Sequence, residues 1–326
     1  MTQTKIATDA RSGASITLDL SRPRAVLATG KRGSGKTTTL HTLAHIAAEQ
    51  GATVIAIDPL GALCALSPDA VPLVPGHTFR LNPSDLSADA WLALFDLSLS
   101  KPGGIALSRA IRQATALPHP YTIPDLIRLV ETDDRAKETT IEALTNRLEA
   151  AQAWSIFHDT YHDLTETFTP GIHLIDLASL DPGPHSLRNL VVSLLVSRLF
   201  VRAQNPQSEI RNPQWLILDE AHNFTAPGAL AARPLTRWAR EGRNFGLSIA
   251  LATQRPGTLP ADVISQSDVI IIHRLTMLDD VKAVSRLAST YARDLPAILK
   301  GVRDPGQAII VDDAEERATV GRVIRR

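Results

Sequence analysis

Short apolar runs and longer amphipathic stretches alternate along most of this chain. RAVLATG (24–30) is a run of apolar and β-branched residues closed by glycine, the pattern of a strand buried on both faces. KTTTLHTLAHIAAEQG (36–51) follows with helical spacing and a glycine stop. ATVIAID (52–58) predicts a second strand before the turn PLG, and TFRLN (78–82) a third. After an interruption the rhythm resumes with GIHLIDL (171–177), an apolar helix over 186–204 and QWLILD (214–219). A helix over about 229–244, LSIALAT (247–253), VIIIHRL (269–275), a helix over 278–291 and the apolar QAIIVDD complete the series. Buried strands interleaved with helices predict an α/β fold whose central sheet is mainly parallel and covered on both faces.

The interruption is itself patterned. Between residues 84 and 168 strand signals vanish and four helical stretches appear: SADAWLALFDLSL, GIALSRAIRQATA, TIPDLIRLVETD and AKETTIEALTNRLEAAQAWSIF. Pro102-Gly-Gly and LPHPYTIP punctuate them. Repeated apolar periodicity over this length predicts an all-helical insertion (84–168) within a core built from residues 1–83 and 169–326.

Composition narrows the field. Of 326 residues, 44% are apolar and 21% charged, which supports a substantial core. Lysine plus arginine equals aspartate plus glutamate at 34 each, which argues against a protein that coats nucleic acid non-specifically but leaves room for a local basic lining. The single Cys64 rules out an internal disulfide and fits a reducing, cytoplasmic location; in GALCAL it reads as a small buried hydrophobe. The N-terminal MTQTKIATDARSGAS lacks an apolar targeting core. LVVSLLVSRLFV (190–201) falls short of a span of about 20 residues and carries Arg198, so no membrane association is expected.

The chemistry begins at GKRGSGKTT (30–38), which matches G-x-x-x-x-G-K-[ST] between a strand and a helix. Gly30, Gly33 and Gly35 permit the positive φ that turns successive N–H groups toward phosphate oxygens. The helix beginning near Lys36 adds its positive N-terminal end. Lys36 is placed to reach the β- and γ-phosphates and the Thr37 hydroxyl to ligate Mg²⁺. Gly30, Arg32, Gly33, Ser34, Gly35, Lys36, Thr37 and Thr38 are the expected nucleotide-binding set, with ATP and Mg²⁺ as cofactors.

WLILDEAHNF (215–224) then reads as the partner of that cradle. A buried strand delivers Asp219 and Glu220 to the carboxyl edge of the sheet, where open α/β folds bind ligands. Asp219 is expected to hold Mg²⁺ through a coordinated water. Glu220 is expected to activate the attacking water. The spelling DEAH also evokes tandem-domain helicases, but the chain continues only to Arg326, short of a second RecA-like domain. A zinc site would need clustered ligands, and ten histidines are scattered around one cysteine. His222 is therefore expected to pack or cap. Gln254, ending the strand LSIALAT, aims its amide at the same edge, toward the γ-phosphate or the attacking water.

Together these segments resemble the HerA/FtsK superfamily of ring-forming P-loop translocases, the HerA branch in particular. The likeness runs in order from residue 24 to 312. It takes in GKRGSGKTT, AIDPLGAL, RLNPSDL, HLIDLASL, LRNLVVSLLVSRLF, LILDEAHNF, AREGRNFGLSIALATQRPGTLPADVISQSDVIIIHRL and LKGVRDPGQAIIV. It implies a RecA-like (ASCE) P-loop NTPase with a helical bundle at the insertion. It also implies a homohexameric ring that hydrolyses ATP, moves double-stranded DNA through its pore and works with a partner nuclease or effector. Such rings need an arginine reaching a neighbour's γ-phosphate: Arg243 in AREGRNFG is the first candidate, Arg240 the second, Arg24 a weaker one. Arg233 and Arg237, after APGALAA, are candidates to face the pore. Leu60 and Ala62 depart from the family's histidine and acid, and about 23 residues before the first predicted strand fall short of the N-terminal barrel of full-length members. Two other readings share this core: an ATP-dependent oligomeric scaffold that activates an effector, as in anti-phage defence, and a viral or plasmid packaging or transfer ATPase. A secretion-type ATPase acting on protein is a third.

Overall fold

The structure, a computed structural model, describes residues 3–67, 70–158, 168–183, 186–205, 214–287 and 295–326. A hairpin of β1 (Gln3–Asp9) and β2 (Ser15–Asp19) leads into β3 (Ala25–Thr29), α1 (Lys36–Glu49) and β4 (Thr53–Asp58). Four helices follow: α2 (Ala88–Leu94), α3 (Pro102–Thr115), α4 (Ile123–Glu131) and α5 (Glu138–Ala153). Then come β5 (Gly171–Asp176), α6 (Leu187–Gln204), β6 (Gln214–Leu218), α7 (His222–Thr225), α8 (Ala232–Glu241) and β7 (Leu247–Thr253). The chain continues through α9 (Ala261–Ser265), β8 (Val269–Ile272), α10 (Leu278–Leu287), α11 (Leu295–Leu299), β9 (Gln307–Asp312) and β10 (Arg317–Val323).

The described strands form one sheet in the order β2-β1-β10-β9-β8-β3-β7-β6-β4-β5. From β8 to β5 all pairs are parallel, and β9, β10, β1 and β2 extend the sheet antiparallel. The pleat sends alternate residues of each central strand to opposite faces. Val26, Ala28, Val54, Ala56, Ile217 and Ala250 meet Leu40, Leu43 and Ile46 of α1. Leu27, Ile55, Ile57, Leu216, Leu218 and Leu251 face a core that includes α6, α8 and the helices α2–α5. Both faces being covered explains why the central strands read as unbroken apolar runs.

Local signals set the helix starts. Ser87, Thr122 and Ser186 each accept a backbone N–H from the first turn of α2, α4 and α6, and Thr122 and Asp125 form a reciprocal capping box. Within the helical segment Trp91 is fully buried, its Nε1 donating to the Tyr121 hydroxyl, which donates to the Leu86 carbonyl.

Four expectations need correction. TFRLN is not a strand: Phe79 and Leu81 make only isolated bridges, because Pro75-Gly76 before and Pro83 after stop a ladder from extending. The helix expected over 229–244 begins at Ala232, since Pro234 is tolerated only in a first turn. It tightens into a 3₁₀ turn at Gly242–Phe245 before Gly246 at φ 75°. The polar N-terminal segment contributes two strands whose apolar residues, Ile6, Ile16 and Leu18, are buried on the α1 side. Cys64 is half-buried rather than enclosed, and burial, with Asp58 nearby, pushes its thiol up to about 12. The end of the helix expected over 278–291 and part of the 84–168 segment lie outside the described residues.

Candidate functional site

The parallel register brings the carboxyl ends of β3, β7 and β6 to one rim. Thr29 pairs with Thr253, and Leu218 with Leu251, so the residues just beyond each strand are neighbours. The loop after β3 has its three glycines at φ 155° (Gly30), 73° (Gly33) and 117° (Gly35). A Cβ on Gly30 would lie 2.6 Å from both Ser34 Oγ and His273 Cβ, so the loop is too tight there for any side chain. The Lys36 ammonium folds back over the loop, donating to the Lys31 carbonyl at 3.3 Å. Burial lowers its pKa, opposed by the charges of Glu220 and Asp219.

Thr37 Oγ1 donates to Asp219 Oδ2 at 2.7 Å, although 182 residues separate them in sequence. Burial raises the Asp219 pKa, while the Thr37 hydroxyl and the Glu220 N–H hydrogen-bonded to it act the other way. A hydroxyl and a carboxylate in one buried corner form a hard-oxygen donor set that suits Mg²⁺. Glu220 is buried at φ 47°, a left-handed conformation unusual for a side-chain-bearing residue. Its Oε1 accepts from the Gln254 amide. Its Oε2 has no hydrogen-bond partner among the described residues and lies 3.4 Å from His222 Nδ1. His222 thus stands beside the acid rather than packing or capping away from it, 3.3 Å from Thr253 Oγ1. Burial lowers its pKa, with Glu220 raising it.

The expected loop set is therefore assembled: Ser34 and Lys36 are buried, Thr37 and Thr38 half-buried, and Arg32 exposed. The arginines are elsewhere. Arg243 lies before β7, hydrogen-bonded to Gln266 and 3.9 Å from Asp268, and Arg240 is 3.6 Å from Asp262. Arg24 donates to the Asp19 carbonyl near the amino ends of the same strands. Arg237 lies over the Phe200 ring, 4.3 Å from its centre, and pairs with Glu241.

Sequence reasoning missed a second layer behind the loop. His273, at the end of β8, is fully buried. Its Nδ1 is 2.9 Å from the Gln307 carbonyl and its Nε2 is 2.8 Å from Thr39 Oγ1. A carbonyl only accepts, so Nδ1 carries the proton and Nε2 is left as an acceptor beside the Thr39 hydroxyl, whose single proton also has the Gly35 carbonyl 3.0 Å away. Burial drives its pKa down to about 4. The signal was present: a histidine closing the run VIII at the same rim. Arg255 was also passed over; it is exposed beside Gln254, and its charge lowers the pKa of His222.

The family described as "Helicase HerA, central domain" matches residues 7–199, which include the loop and α1 but stop short of the acids. The chain is 26% identical over 201 residues to the DNA double-strand break repair helicase HerA of Sulfolobus acidocaldarius, covering 59% of this chain and 39% of the relative. The protein of the same name from Pyrococcus furiosus is 34% identical over 113 residues, 34% of this chain and 20% of that one. The chain thus spans well under half the length of these curated relatives. VirB4 of Thermoanaerobacter pseudethanolicus shares the RecA-like fold, with a TM-score of 0.73 over 99% of this chain and 96% of that one at 15% identity.

The His273 layer gives a pH signature. An unfolded imidazole titrates near about 6.5, so between there and about 4 the unfolded chain binds the extra proton. The stability contribution is complete above the higher value and lost as pH falls to the lower, on the order of 3 kcal/mol. Urea unfolding of the native protein and His273→Gln at pH 7 and 4.5 should show the native protein's advantage shrinking in acid. A gap independent of pH would contradict the assignment.

Proposed function

The chain belongs to the HerA central-domain family, and from that premise we propose that it is an ATP-hydrolysing ring motor that translocates double-stranded DNA. One observation carries the chemistry: Lys36, Thr37, Asp219, Glu220 and Gln254, spread over 219 positions of sequence, meet at one rim of the sheet. In this reading the N–H groups of the loop and the Lys36 ammonium bind the β- and γ-phosphates. Thr37 and, through water, Asp219 would hold Mg²⁺, which supplies charge neutralisation on the phosphate oxygens. Glu220 takes the proton of the attacking water. Gln254, donating to Glu220, orients that carboxylate, and its amide can instead turn to the terminal phosphate or the attacking water. Residues 1–83 and 169–326 form the ATPase core of this reading, and 84–168 its inserted helical module.

Arg243 precedes β7 while Gln254 follows it, and a seven-residue strand spans about 20 Å. An arginine on that opposite rim cannot reach its own chain's triphosphate. We therefore assign Arg243, with Arg240 beside it, to the site of an adjacent copy, which makes assembly a condition of turnover.

Lys36→Ala should abolish nucleotide turnover. Glu220→Gln should keep nucleotide binding and cut hydrolysis by about a hundredfold or more; normal turnover by that variant would refute the base assignment. Mixing inactive Arg243→Ala and Glu220→Gln subunits should recover measurable activity, because some mixed interfaces hold one intact site. No recovery at any ratio would count against a shared site. ATPase assays with and without linear duplex, beside a mass measurement of the assembly, test the motor itself. Stimulation by duplex in a ring-sized species is expected, whereas a ring whose turnover ignores duplex would favour an effector-activating scaffold.

A further inference from the structure

The acids and Gln254 follow β6 and β7, on one side of β3, whereas β8, β9, β10 and β1 lie on its other side. A triphosphate whose terminal phosphate points at Glu220 must therefore run its nucleoside end toward the antiparallel strands. A cavity of about 560 Å³ opens in that direction. It begins at Gly33, Gly35, Lys36, Thr37 and Thr38 and is walled beyond them by Thr8, Pro305, Gly306, Arg322, Ile324 and Arg325.

This wall is built onto the phosphate loop rather than merely lying beside it. The Gly306 N–H donates to the Ser34 carbonyl at 2.9 Å, and the Val323 N–H donates to the Gly306 carbonyl at 2.9 Å. A Cβ on Gly35 would lie 3.0 Å from the Gly306 nitrogen, so loop and wall touch backbone to backbone. Ile324 is fixed on both sides of its Cα, its N–H donating to the Ile6 carbonyl and its carbonyl accepting from Thr42 Oγ1 at 2.8 Å. Arg322 is held by two separate contacts, Nη1 to the Pro305 carbonyl at 3.2 Å and Nη2 to Asp304 Oδ2 at 3.4 Å. Those contacts restrain its guanidinium plane at the cavity wall.

We propose that this wall is the nucleoside subsite, with the Arg322 guanidinium stacking on the base and Ile324 and Pro305 supplying apolar contact. The assignment rests on the reading of the Lys36 loop as the triphosphate site. The Arg322 side chain is exposed, and a planar cation against an aromatic base at an exposed position changes affinity by roughly twofold to fivefold.

Calorimetric titration of Mg-ATP and of Mg-tripolyphosphate, which lacks a nucleoside, separates the two halves of the site. Arg322→Ala should weaken ATP by that factor, leave tripolyphosphate unchanged, and raise KM with kcat nearly intact. Arg322→Lys, which keeps the charge and loses the plane, should stay weak. Equal loss of both ligands, rescue by lysine, or unchanged ATP affinity would each overturn the proposal. Lys36→Ala should lose both ligands; if it lost neither, the phosphate reading would fail instead. Should Arg322→Ala not fold, Arg322→Gln, which loses the planar cation, carries the same pair of titrations.

Discussion

Parallel pairing between β3, β7 and β6 is the constraint from which the rest follows. In a parallel ladder each residue has a fixed partner and all carboxyl ends point one way. Once Thr29 is opposite Thr253 and Leu218 opposite Leu251, the loop after β3, the acids after β6 and the amide after β7 have nowhere to go but one rim. A slip of one residue would also turn every buried side chain to the wrong face, so hydrophobic burial enforces the chemical alignment. The short bond from Thr37 to Asp219 is a by-product of that register.

Much of this is legible in the sequence itself. The strand–loop–helix grammar around Lys36 and the buried run ending in Asp219 and Glu220 carry their own positional meaning, because a buried strand must end at a sheet rim. What the sequence hid was the antiparallel half. β1 and β10 alternate polar and apolar residues weakly, and while each has a hairpin partner nearby, their pairing with each other joins the two ends of the chain, so no local pattern announces it. TFRLN erred the other way: its composition suits a strand, but the prolines around it leave no room for a ladder. His273 was missed because an isolated histidine closing an apolar run looks like any loop start until Thr39 and Gln307 are placed around it.

The site is electrostatically unfinished on its own. Lys36, Asp219 and Glu220 are all buried within reach of one another's fields, an arrangement that desolvation penalises. One ammonium faces two carboxylates. A triphosphate with its divalent cation would add charge of both signs to this corner, so ligand binding is expected to relieve burial cost as well as make contacts. The His273 layer behind it contributes no charge at neutral pH, leaving the field at the rim to Lys36, Asp219 and Glu220.

The backbone of Glu220 carries a last consequence. Its left-handed φ of 47° costs a residue with a Cβ on the order of 1 kcal/mol that glycine would not incur. The position is thus tuned against the folded state's own preference. Selection of variants for heat resistance alone would be drawn toward glycine there, enriching sturdier molecules that have lost the carboxylate proposed to activate water.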